Sequence, residues 1–227
     1  MFTQDGFGVR LEWGRDGLTA IAPHCTVVII VDVLSFSTSV DLIVGQHARV
    51  RVAPWTGDGP PRPSALKSVQ AGAEYTVSSP NGCELAIQAA KTTRVMTGCL
   101  RNANAVADKA IDVADRGPIG VVAAGEQWGI NVEEHVTPGR LRPAIEDYLG
   151  AGAIISALLA EGYNPASPEA AFAASSYKTA EPYLAELLGG CGSGLELGAR
   201  GRSEDIAIAG QVNVSKAAPL LTDGVFQ

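Results

Sequence analysis

No GxxxxGK[ST] loop occurs in this chain, so nucleotide phosphates are not held here in the P-loop manner. No GxGxxG follows an apolar run, and the glycines between 189 and 194 have the wrong spacing and context for a dinucleotide turn. No serine sits in a nucleophile elbow. His24, His47 and His135 form no ligand spacing, which argues against a zinc site. The four cysteines, Cys25, Cys83, Cys99 and Cys191, contain no CxxC pair and read as reduced thiols. Cys83 and Cys99 flank candidate site loops, but neither has a neighbouring His or Lys to lower its pKa, so neither reads as a nucleophile. Basic residues are in deficit: 17 Lys and Arg against 24 Asp and Glu give a net charge of −7. That balance, with no concentrated basic face, excludes a nucleic-acid partner. No apolar run approaches the ~18 residues of a membrane span. The N-terminal residues lack a basic stretch followed by an apolar one, so a cytoplasmic protein without a membrane partner is expected.

What is present suits closely packed α/β layers: 227 residues, 46% hydrophobic but only 6% aromatic. Val27, Val28, Ile29, Ile30 and Val31 are five consecutive β-branched residues, as in a strand buried on both faces. The run ends on a carboxylate, Asp32. A hydroxyl-rich turn with Ser35, Ser37, Thr38 and Ser39 then opens a helix to about Val44, with Gly45 as its C-cap.

Further strands are expected over 9–13, 48–52, 74–77, 94–97, 119–124 and 205–209, and helices over 16–22, 64–71, 84–90, 102–116, 143–161, 167–174 and 181–188. The Pro- and Gly-rich stretch 54–63 reads as a surface loop or lid within an irregular region, 53–77, and 189–194 as a flexible joint. Alternating strands and helices imply one three-layer α/β/α domain over 1–227, with a parallel or mixed sheet.

Several strand ends carry polar residues: Asp32, then Ser79, Asn81 and Gly82, then Gly98 to Asn102, then Gly125 and Glu126. If these strands are parallel neighbours, the groups converge on one sheet edge. An Asn-Gly turn before a helix offers backbone N–H groups to an oxyanion. Paired with carboxylates, such a nest suggests a divalent metal bridging protein and phosphate, and Mg²⁺ takes one or two carboxylates while keeping waters. Glu146 and Asp147 are the next acidic candidates, although an acidic first turn also complements the helix dipole. Ser37, Thr38 and Ser39 can equally serve as helix caps. An aspartyl-nucleophile phosphatase would need a second Asp at position 34, where this chain has Leu34.

These motifs, in this order, resemble the 2-phosphosulfolactate phosphatase family. The matching segments are Val31-Asp32-Val33-Leu34 with its Ser/Thr turn, Ser79-Pro80-Asn81-Gly82, and Gly98-Cys99-Leu100-Arg101-Asn102-Ala103-Asn104-Ala105-Val106. Then come Ala123-Ala124-Gly125-Glu126, Ala144-Ile145-Glu146-Asp147-Tyr148-Leu149-Gly150-Ala151-Gly152, and Asp205-Ile206. Together they span about residues 9 to 220.

The resemblance implies a Mg²⁺-dependent hydrolase that removes phosphate from the 2-hydroxyl of a small anionic acid. In the archetype this is 2-phospho-3-sulfolactate, on a route to coenzyme M. It implies Asp32, Asn81, Glu146 and Asp147 as the catalytic set, with Asp32 and Asp147 as metal ligands. Glu146 is then a further ligand or the base that orients water. Ser37, Thr38, Ser79, Gly82, Arg101, Asn102 and Glu126 are the implied substrate and phosphate contacts. Many members carry Arg directly after Asp-Val-Leu, where this chain has Ser35; Arg101 or Arg142 is a candidate substitute. The segment 53–77 also departs from the family pattern. A non-catalytic anion- or metabolite-binding protein on the same fold is the reading from another class, and a different metal-assisted phosphate-ester hydrolase is a third. The apolar helices leave room for a homodimer.

Overall fold

The β-branched run lies at the centre of a parallel sheet. A computed structural model of the chain describes residues 3–57, 59–128 and 139–227. Its strands are β1 (Val9–Trp13), β2 (Val27–Val31), β3 (Arg49–Ala53), β4 (Glu74–Ser78), β5 (Arg94–Thr97), β6 (Ile119–Ala123), β7 (Glu126–Gln127), β8 (Leu141–Arg142), β9 (Leu221–Thr222) and β10 (Val225–Phe226). The helices are α1 (Gly14–Ile21), α2 (Phe36–Val44), α3 (Gly82–Ala89), α4 (Ala103–Ala114), α5 (Ile145–Ala160), α6 (Pro168–Ala180), α7 (Leu184–Gly190), α8 (Gly192–Ala199) and α9 (Ser203–Ala209).

The main sheet has the order β1-β6-β2-β5, parallel throughout. Period-two alternation sends Val27, Ile29 and Val31 into a core shared with α4, α5 and α6. Val28 and Ile30 point the other way, into a core shared with α1, α2 and α3. Each side chain of the run is therefore buried, at roughly 1.5–3 kcal/mol apiece for residues of this size. Both faces of the sheet are covered, giving the expected three-layer α/β/α architecture with a mixed element: a second sheet, β4-β3-β10-β9, pairs β3 and β4 parallel and β3 and β10 antiparallel. An isolated antiparallel bridge from Met96 to Leu220 joins the two sheets.

Helix α5 lies unusually close to β2. A Cβ on Gly150 would sit 2.6 Å from Val33 Cγ2 and 3.0 Å from Val31 Cγ1, so only glycine permits this approach. Tyr148 stacks on Trp13, with ring centroids 5.9 Å apart, and fixes the start of α5 against β1. Helix α6 begins as its sequence dictates, with the Ser167 hydroxyl accepting from the Ala170 amide and Pro168 in the first turn.

Three local expectations are corrected. Residues 205–209 belong to α9 and form no strand: Ile206 and Ala209, three apart, are its buried apolar pair, and the alternation is coincidental with helical spacing. The helix expected over 64–71 is a single 3₁₀ turn, Pro63–Leu66, because the Gln46 side chain engages the Leu66 carbonyl and the Val69 amide, each at 2.9 Å. Residues 189–194 are the end of α7 and the start of α8. The β7–β8 ribbon was unforeseen; two-residue strands carry no periodicity. Residues 129–138, His135 among them, lie outside the described residues.

Candidate active site

Helix α5 brings its first turn to the carboxyl edge of the main sheet, where the sequence places its strand-end carboxylates. The Asp147 carboxylate accepts the Val33 amide on Oδ1 at 2.7 Å and the Gly125 amide on Oδ2 at 2.9 Å. One side chain thus clamps the turns that leave β2 and β6. Asp32 is held in the same way: Oδ1 accepts the Phe36 amide at 3.3 Å, and Oδ2 accepts the Gly82 amide at 2.9 Å. Its backbone N–H donates to the Ser37 hydroxyl at 2.9 Å.

Strand β4, which leads to Gly82, is not a neighbour of β2 but lies in the second sheet. The approach is possible because residue 82 has no side chain; a Cβ there would fall 2.2 Å from Phe36 Cδ1 and 2.8 Å from Asp32 Oδ2. The Gly82 amide, expected to face an oxyanion, is engaged by Asp32.

Four carboxylates act on one another here. Asp32, Glu146 and Asp147 are only 7%, 2% and 4% exposed, and burial disfavours the charged forms of Asp32 and Asp147. Burial pushes Asp32 up to about 6 against the amides of Gly82 and Phe36, with Glu146 adding to the rise. Burial likewise lifts Asp147 well above the usual carboxylate range, reinforced by Asp32 and Glu146. Burial, Asp32 and Glu146 push Glu126 up to about 8, while Arg142 and Asn81 oppose the rise.

Glu126 stands directly opposite Arg142 in the antiparallel β7–β8 ribbon, so the two side chains share a face. Glu126 Oε2 accepts from Asn81 Nδ2 at 3.1 Å, and Glu126 Oε1 accepts from the Ser193 hydroxyl at 3.4 Å. Arg142 Nη2 donates to that hydroxyl at 3.3 Å. Asn81 Oδ1 accepts from Gln127 Nε2 at 3.1 Å, which fixes the amide orientation. On the other face of the ribbon, Gln127 and Leu141 join Asn81, Trp55 and Arg15 around a cavity of about 850 Å³. The carboxylate edge and this cavity are adjacent, and Asn81 is common to both.

The structure therefore brings Asp32, Asn81, Glu126, Glu146 and Asp147 together. It gives the other expected site residues different partners. The Ser37 hydroxyl pairs with Thr97 Oγ1 at 2.8 Å, and Thr38 Oγ1 donates to the Val33 carbonyl at 2.8 Å; both side chains are fully buried. The Ser79 hydroxyl accepts the Cys83 amide at 2.9 Å. Asn102 accepts the Cys99 amide and donates to the Ala217 carbonyl. Arg101 pairs with Asp41 at 2.8 Å and donates to the Ile208 carbonyl and the Gln211 side chain. These residues shape the turns beneath the edge. Burial raises the Cys83 and Cys99 thiols to about 12, in keeping with inert core cysteines.

Gln127 and Ser193 are contributors the sequence did not announce. Ser193 arrives from α8, far along the chain from the acids of α5, and no local pattern ties it to Glu126.

Buried carboxylates and oriented amides at the carboxyl edge of a parallel sheet define an α/β protein with an acidic cluster where ligands of such folds collect. The chain belongs to the 2-phosphosulpholactate phosphatase family, whose model matches residues 58–224 of the 227. It is by that membership a phosphoric monoester hydrolase. The matched span contains Asn81, Glu126, Glu146 and Asp147; Asp32 precedes it and joins the site through its bond to Gly82. No curated protein matches the chain. No helix among the described residues is long and apolar enough to cross a membrane.

Proposed function

We propose that this protein is a Mg²⁺-dependent phosphomonoesterase that hydrolyses the 2-phosphate of a small anionic hydroxy acid such as 2-phosphosulfolactate. The observation that carries this reading is the gathering of Asp32, Glu126, Glu146 and Asp147 at one sheet edge, each shifted pKa there raised by burial and by the other acids. Such a cluster is costly as it stands and favourable once a cation is bound.

The donor set suits a hard cation, because all four side chains offer oxygen. Among the described residues no three His, Cys, Asp or Glu side chains enclose an ion by themselves. The fit is therefore to an open site, with one or two carboxylates and with water and substrate oxygens completing the shell. Asp32 and Asp147 are the ligands, each keeping lone pairs beyond its two amide bonds. When bound, Mg²⁺ neutralises charge on the phosphoryl oxygens and lowers the pKa of water.

The chain's own residues do the rest. Glu146 is a further ligand or orients the attacking water from the first turn of α5. The Val33, Phe36, Gly82 and Gly125 amides hold the two aspartates rigid, so little reorganisation accompanies the reaction. Asn81, fixed by Gln127 and Glu126, offers its amide side chain at the edge where substrate enters.

The test is hydrolysis of a panel of 2-phospho-hydroxy acids with Mg²⁺ or EDTA, comparing wild type with Asp32→Asn. The expected result is turnover that requires Mg²⁺ and falls by at least about a hundredfold in the variant, the scale on which a charge-stabilising group acts. No turnover on any ester, or turnover indifferent to chelator and substitution, overturns the reading.

A further inference from the structure

A site made of four carboxylates repels the substrate its family cleaves, which is an anion at both ends. Something must hold the end that is not the phosphate. Most arginines near this part of the molecule are engaged by acids: Arg101 by Asp41, Arg62 by Asp205 and Arg15 by Glu84. Arg142 is different. Among the described residues no carboxylate forms an ion pair with it. It nevertheless stands opposite Glu126 in the ribbon and is the cation that opposes the acids there.

Its guanidinium is also held in place. Nη2 donates to Ser193, and Cζ lies 5.7 Å from the Trp128 ring centroid. A Cβ on Gly192 would sit 3.1 Å from Nη1, so the start of α8 is trimmed where the guanidinium passes. A neutral hydroxyl and an aromatic face fix the fork without cancelling its charge. A planar fork restrained in this way suits two oxygens of one carboxylate or sulfonate.

We propose that Arg142 is the specificity-determining residue of this site: it receives the second oxyanion, carboxylate or sulfonate, of a phosphorylated acid whose ester is cleaved at the Asp32–Asp147 edge. This inference rests on the phosphatase reading above. Ser193 and Trp128 are positioning residues, acting through the guanidinium.

The experiment compares kcat/KM for 2-phospholactate with that for isopropyl phosphate, the same secondary ester with a methyl group in place of the carboxylate. Wild type, Arg142→Gln and Arg142→Lys are measured with Mg²⁺, and lactate is titrated as a competitive inhibitor of each. The wild type should prefer 2-phospholactate. In Arg142→Gln that preference ratio should fall roughly 10- to 100-fold, the worth of a charge-assisted hydrogen-bonded contact, and the lactate inhibition constant should rise in step. Arg142→Lys should recover part of the ratio, having the charge without the fork; it also carries the test if the glutamine variant does not fold. A ratio unchanged in both variants, with both esters still cleaved, overturns this inference alone. Cleavage of neither ester by the wild type overturns this inference, and failure on every 2-phospho-hydroxy acid of the panel overturns the phosphatase reading with it.

Discussion

Asp147 and Val33, 114 residues apart in the chain, are joined by a 2.7 Å hydrogen bond from the Val33 amide to the Asp147 carboxylate. The second Asp147 oxygen takes the Gly125 amide, so both oxygens are needed as acceptors. An asparagine in this place has one acceptor and one donor, and its NH₂ would face an amide N–H. Asp147→Asn should therefore cost about 1–3 kcal/mol, the penalty of one buried donor left unmatched. Denaturant unfolding measures it, and an unchanged midpoint would show that the clamp contributes nothing.

Gly82 meets Asp32 through its amide, and its Cα faces the Phe36 ring. With a fully buried aromatic ring and the buried Asp32 carboxylate around it, the 2.2 Å encounter of a new Cβ cannot be relieved by turning a surface side chain. Gly82→Ala should destabilise by about 1–3 kcal/mol, as overpacked cores do, and should lower hydrolysis by pulling the amide from Asp32. If activity survives while stability falls, the amide supports the fold and not the site.

The raised carboxylates also set a pH dependence. Asp32 moves from 3.8 to about 6 and Glu126 from 4.5 to about 8 on folding, so the folded chain holds more protons than the unfolded one between those limits. Stability contributed by these groups is then greatest near pH 4 and is lost as pH rises toward 8. A divalent cation that binds the cluster should oppose the loss, so Mg²⁺ should raise Tm more at pH 8 than at pH 5. Melting curves with EDTA and with Mg²⁺ at the two pH values decide it; equal Mg²⁺ effects at both would separate the cation from these carboxylates.

The legible part of this molecule is the part with long apolar periodicity. The β2 run, its Asp32 terminus and the α5 acids could be read because five β-branched residues and a 16-residue helix leave strong patterns. What connects them could not. The meeting of Gly82 with Asp32 joins two different sheets, and the meeting of Glu126 with Arg142 depends on a two-residue ribbon. The hydroxyls of Ser37 and Thr38 belonged to a pattern that serves either a phosphate or a cap. Full burial turned both inward, to Thr97 and to the Val33 carbonyl. Asp205 was legible as a motif residue but was assigned to a strand, because Ile206 and Ile208 mimic alternation.

Asp205 has a role that its place on α9 now explains. Its carboxylate accepts the Ser64 amide at 2.8 Å and Arg62 Nε at 3.0 Å, while Ser39 donates to the Pro61 carbonyl at 2.8 Å. The Pro-rich segment is thereby tied at its far end to α9 and to α2, and at its near end the Trp55 amide donates to Glu84. Burial alone would raise the Asp205 pKa, but the Ser64 and Arg62 contacts win and hold it below the usual value. Its contribution is therefore present above pH ~4 and is lost as pH falls through the lowered pKa. Asp205→Ala removes both ties without touching the carboxylate edge. It should cost about 1–3 kcal/mol and make 54–62 a preferred cleavage site for proteinase K, which can cut after Trp55, since loop cutting follows local opening. Trp55 lines the cavity beside Asn81, so KM should rise more than kcat falls. Cleavage no faster than in wild type would mean that the Ser39 and Glu84 contacts hold the segment without Asp205.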